Sequence, residues 1–216
     1  PVKAQDGVEP GDVIRTKSKS KAQVQFVDDT TLTLAPESRV AVADFLYTPE
    51  SREHRAVMRL FRGLAHTVVS RILQIQEPEF IMQTMTAVIG VRGTDFFTLL
   101  TPNCAYLYLL QWRLSTASSN PQIPQVVYLS DRRKNKVCLD QPPGPAQVLT
   151  VPDEEMLLRF MDTGVPENFD LAAPGIGPPP SRLELPPSPE GGMQPSIPPL
   201  QRVPPKGGEG AIFTPG

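Results

Sequence analysis

The chain has 216 residues and a net charge of −2, with acidic and basic residues interspersed and only two cysteines and two histidines. No basic field marks a partner such as nucleic acid or an anionic membrane, and no run reaches the ~18–20 apolar residues of a membrane span. Two histidines and two distant cysteines make no convincing metal site, so neither a metal nor a cofactor is expected. Of 26 prolines, 18 lie between Pro142 and Pro215. The composition therefore divides the chain into a folded region at 1–130, an extension at 131–170, and a disordered Pro/Gly-rich tail at 171–216.

In chain order the pattern before Pro121 is mostly strand-like. In KAQVQF, Ala22, Val24 and Phe26 alternate with Gln23 and Gln25, and in TTLTLAP Leu32 and Leu34 alternate with Thr31 and Thr33. Asp28-Asp29-Thr30 between them reads as a turn. RVAV, AVMRLF, HTVVSRI, EFIMQT, AVIGV, FFTLLT, AYLYLL and VVYLS add short strands separated by turn residues. HTVVSRILQIQ, from His66 to Gln76, also fits helical spacing, but its β-branched run and its neighbours favour strand.

One helix is expected near 152–163. Thr150 can cap it, Pro152 suits its first turn, Asp153, Glu154 and Glu155 complement its dipole, and Gly164 ends it. Its stripe of Met156, Leu157, Phe160 and Met161 should dock on the β domain. The fold class is therefore all-β: stacked short strands forming a roll, sandwich or irregular β-solenoid, with one short helix and a Pro-rich tail.

TAVIGVRGTDFF sets Arg92 and Asp95 inside an apolar run, where an unpaired charge is costly. Reading Gly93-Thr94 as a two-residue hairpin loop makes Arg92 oppose Asp95, with Gly90 leaving room for Phe97. The alternative is a corner at which Arg92 bonds carbonyls of the next layer. Both readings are structural and outweigh a ligand contact for Arg92. Asp162-Thr163-Gly164 matches an aspartic-protease triplet, but a single copy following a helix reads as helix termination. Ser18 to Lys21 borders a strand and lacks the helix that Ser-x-x-Lys chemistry needs. His54 in SREHR reads as solvated and His66 as a satisfied strand-end residue. No catalytic residue is assigned, and no enzyme is expected. Tyr106, Tyr108 and Trp112 suit either inter-sheet packing or a partner surface, including a glycan-binding one. Cys104 and Cys138 are compatible with a disulfide or with two buried thiols.

Several ordered segments resemble the FecR domain, an extracytoplasmic module named after a ferric-citrate regulator. They are Pro10-Gly11-Asp12-Val13-Ile14-Arg15-Thr16, AQVQF, Asp29-Thr30 leading into TLTLAPESRVAV, LFRGLAHTVV, FIMQT and TAVIGVRGTDFF, covering about residues 1–114. Gly11, Asp12, Arg15, Asp29, Thr30, Gly63, Gly90, Arg92, Gly93, Thr94 and Asp95 carry its motifs. The chain departs from the pattern at Lys17, at Asp29 and at Gln111-Trp112, where the family usually turns on glycine, and at Met85, where proline is common. The resemblance implies a bacterial, periplasmic or otherwise extracytoplasmic module that senses or signals by contact with a protein partner in the cell envelope. It also implies further strands before Pro10, so Pro1 is expected to lie inside the domain, with any signal peptide out of view. A cell-envelope structural or glycan-binding protein is the alternative.

Overall fold

The structure, a computed structural model, describes residues 3, 6–48, 53–70, 80–169 and 211–215. In chain order its strands are β1 Gly7–Val8, β2 Val13–Arg15, β3 Ala22–Gln25, β4 Thr31–Leu34, β5 Arg39–Thr48, β6 Glu53–Val68, β7 Phe80–Gln83 and β8 Ala87–Val91. They continue with β9 Asp95–Leu100, β10 Cys104–Gln111, β11 Leu114–Ser118, β12 Val126–Leu129, β13 Arg133–Cys138 and β14 Gln147–Val148. Helix α1 follows at Val151–Thr163, and β15 at Ala211–Pro215 closes the order.

The strands form two sheets that share β6. Sheet I runs β1-β15-β3-β4-β6-β9-β10-β13-β14, antiparallel throughout. Sheet II runs β2-β5-β6-β7-β8-β11-β12, with the β6–β7 pair parallel. Along the 16 residues of β6 the partners change at one point: Arg62 still pairs with Arg39 of β5, whereas Gly63 pairs with Leu100 of β9. Gly63 has φ +91, and a Cβ there would lie 2.2 Å from Ser38 Oγ. Only glycine lets the strand cross so close to that serine. Ser38 Oγ in turn accepts a hydrogen bond from the Leu64 N–H at 3.1 Å, which ties the crossing to the start of β5.

Alternation places the core between the sheets. Val24, Leu32 and Leu107 from sheet I meet Val40, Met58, Met82 and Ile89 from sheet II. Phe80 of β7 and Phe96 of β9 approach edge-to-face at 6.4 Å across the gap. The strand AYLYLL is buried on both faces because α1 covers the outer side of sheet I. Leu157, Phe160 and Met161 pack there on Leu64, Phe97, Leu99 and Tyr108. Burying each large apolar side chain contributes about 1.5–3 kcal/mol, so the stripe holds a helix too short to persist alone. The Asp153 carboxylate accepts hydrogen bonds from the Thr150 N–H at 2.9 Å and hydroxyl at 2.6 Å.

The hairpin reading needs correction. Gly93-Thr94 does not close a hairpin: β8 belongs to sheet II and β9 to sheet I, and the two do not pair. Gly93, at φ +56, turns the chain from one sheet to the other. Ala211–Pro215 adds a strand between β1 and β3, where an otherwise open ladder edge meets an uncharged segment. Its proline stands at the last ladder position, where the missing N–H costs least. The end of HTVVSRILQIQ lies outside the described residues, while its first three residues belong to β6.

Candidate interaction surface

The residues that carry the family motifs shape turns and sheet crossings. Gly11 has φ +97, and the Asp12 carboxylate accepts the Glu9 N–H at 2.9 Å, closing the turn before β2. Arg15 points outward from β2. Asp29 and Trp112, at two of the places where the family usually has glycine, both adopt positive φ, at +64 and +75. At both places a side chain is thus held in a region that L residues seldom occupy.

At the corner after β8, Arg92 is exposed, whereas Gly93 and Thr94 are buried. Thr94 donates through Oγ1 to the Arg113 carbonyl at 2.8 Å, and its own carbonyl accepts the Val69 N–H at 2.8 Å. Threonine therefore ties the corner to both the end of β6 and the start of β11. Asp95 does not pair with Arg92. It accepts from His66 Nε2 at 2.7 Å, and the His66 ring stacks on Phe97 at 4.1 Å between centroids. The expected ion pair is thus replaced by a histidine–aspartate pair across the β6–β9 ladder, where His66 and Asp95 are close diagonal neighbours. This leaves Arg92 on the surface with no hydrogen bond or ion pair to a described residue.

His54 also departs from expectation. Its side chain is buried and donates to Asp28 Oδ2 at 2.7 Å. Asp28 further accepts the Thr30 N–H at 3.0 Å and the Thr30 hydroxyl at 2.7 Å. Burial, the largest single influence, pushes the Asp28 carboxyl upward. The hydrogen bonds from His54 and Thr30, together with the charge of His54, outweigh it and leave the group below its ordinary value. SREHR looks solvated as a sequence because nothing local reveals that β6 passes over the β3–β4 turn.

The aromatic trio is separated. Tyr108 is only 4% exposed beneath α1, and burial followed by the charge of Asp153 raises its phenol strongly. Tyr106 lies edge-on to Phe169 at 5.2 Å. Trp112 is 48% exposed, and its backbone N–H donates to Asp131. Tyr106 and Tyr108 therefore belong to the packing of the helix, and the three rings form no continuous aromatic surface among the described residues. Cys104 and Cys138, opposite each other on β10 and β13, form a disulfide. The triplet ending at Gly164 terminates α1, with Asp162 paired to Lys21.

Sequence reasoning missed Tyr128, which is 77% exposed on β12, and Arg113, exposed beside Trp112. VVYLS announces a strand, but nothing local tells that this strand ends a sheet.

Two crystal structures of a candidate anti-sigma factor from Parabacteroides distasonis ATCC 8503, at 2.50 Å and 1.65 Å resolution, share this fold. Their TM-scores are 0.52 and 0.53 at 15% and 14% identity, each over 68% of this chain. The match spans 64% of each of those chains, so they are longer than the part that is shared. No curated protein matches the sequence. Residues 12–103, which span β2 to β9, match the FecR protein family.

Proposed function

We propose that the protein is a non-enzymatic FecR-type module that receives or transmits a signal in the bacterial envelope by protein contact. The observation that carries this reading is the FecR match over residues 12–103. The shared fold with a candidate anti-sigma factor agrees with it. The Cys104–Cys138 disulfide fits an oxidising compartment outside the cytoplasm.

Deleting the gene in its bacterial host and profiling transcripts tests the reading. The expected result is a coherent change in one sigma-factor regulon, reversed by the wild-type gene. An unchanged transcript profile under envelope stress and in its absence would overturn it.

A further inference from the structure

The outer face of sheet II carries two cross-strand rows with no buried side chain. One runs Arg59, Gln83, Val88, Ala117, Val126, and the other Val57, Ile81, Gly90, Ser115, Tyr128. In the second row Gly90 and Ser115 lie between the larger Ile81 and Tyr128 and form a floor low enough for a backbone to approach. A groove of about 560 Å³ opens there, with Arg92 and Arg113 at its end and Ser130 beside Tyr128. None of its lining residues is acidic. The nearby carboxylates are engaged, Asp95 by His66 and Asp131 by the Trp112 N–H. Neither guanidinium has a hydrogen bond or ion pair to a described residue. Along the groove's side, β12 pairs only with β11 among the described strands, leaving one ladder edge open.

We infer that this groove binds an extended, carboxylate-bearing segment of a protein partner, so the inference rests on the protein-contact reading above. The arginine forks match carboxylates in geometry and charge. The exposed Tyr128 ring offers an apolar platform for a neighbouring aromatic or aliphatic residue. The open edge of β12 supplies backbone hydrogen bonds, which favour an extended chain. Arg92 thereby gains a role that its place in the fold does not require, because Gly93 and Thr94 build the corner without it.

The test is fluorescence polarisation of the full chain with labelled octapeptides alternating Glu and Phe, against counterparts in which Gln replaces Glu. The acidic peptide is expected to bind at least tenfold more tightly, with the difference shrinking as salt rises. Arg92→Glu with Arg113→Glu should abolish that preference, and Tyr128→Ala should weaken binding several-fold. Arg92→Gln with Arg113→Gln provides a second variant that adds no repulsion, and it too should lose at least tenfold. Equal binding of the two peptides, or undiminished binding by both arginine variants, would overturn the inference. So would binding of dextran sulfate with none of the acidic peptide, which would assign the groove to a polyanionic glycan. The two proposals fail separately: a changed regulon without peptide binding removes only the groove, and peptide binding with an unchanged regulon removes only the signalling role.

Discussion

The outer faces of the two sheets differ in what covers them. Sheet I carries α1, whose Leu157, Phe160 and Met161 seal Tyr108 and Leu99 from water. It is further fixed by the Cys104–Cys138 bridge and by Lys134, which donates to Asp153 at 2.7 Å. Sheet II shows two rows that mix small and apolar residues with Arg59, Gln83 and Tyr128, and neither row contains a buried side chain. A covered face contributes to stability, whereas one that no other described residue covers exposes its apolar side chains to water and persists more readily where something binds. The comparison separates residues that hold this molecule together from residues free to meet a partner.

The largest test of that separation is Leu157→Ala, fully buried at the centre of the helix stripe. It should cost about 2–5 kcal/mol in denaturant unfolding, and a loss below 1 kcal/mol would mean that α1 does not seal the sheet. Replacing both Cys104 and Cys138 by serine should cost about 2–4 kcal/mol. The same loss should follow reduction of the wild type, so the variant should respond to dithiothreitol hardly at all.

Acid sharpens the comparison next. Asp28 and Asp153 both belong to sheet I and its helix. For Asp153 burial again pushes upward and is outweighed, here by hydrogen bonds from Lys134 and Thr150 and by the charge of Lys134. Carboxyls held below the ordinary aspartate value contribute stability that is fully present above that value. It is lost as pH falls through their lower folded values. Asp28→Asn should cost about 1–3 kcal/mol near neutrality and flatten the acid limb of the stability–pH curve. An unchanged limb would show that the His54–Asp28 pair carries no pH dependence. The smallest effect belongs to sheet II, where Tyr128→Ala should shift stability by no more than about 0.5 kcal/mol. A loss above 1.5 kcal/mol would break the comparison, since Tyr128 would then be part of the fold.

The sequence made some of this legible and hid the rest for physical reasons. AQVQ and TLTL show their inward faces because each is wet on one side. The helix is readable from Thr150 to Gly164 because caps and stripe are local signals. DFFTLL and AYLYLL lose their alternation because a distant helix buries their second face. The Gly93-Thr94 corner resembles a hairpin loop because turn chemistry is the same whether the next strand returns to its own sheet or joins another. The pairing of His66 with Asp95 and of His54 with Asp28 depends on the path of β6, which no window of sequence contains. The FecR motifs were visible because their glycines and polar turn residues recur in order. What they mark is the scaffold, and the exposed groove is built largely by β8, β11 and β12.

Because β6 is paired on both edges over Ala56–Arg59 and again over Ala65–Val68 and belongs to both sheets, it acts as the spine through which either sheet is coupled to the other. Amide hydrogens near Leu60 and Leu64 should exchange only through global opening, while those along the outer edge of β12 exchange by local fraying. A segment bound on β12 would therefore be read as slowed exchange spreading inward through β11, β8 and β7 toward that spine. The gradient of protection across sheet II then becomes a measure of how far a surface event reaches into the molecule.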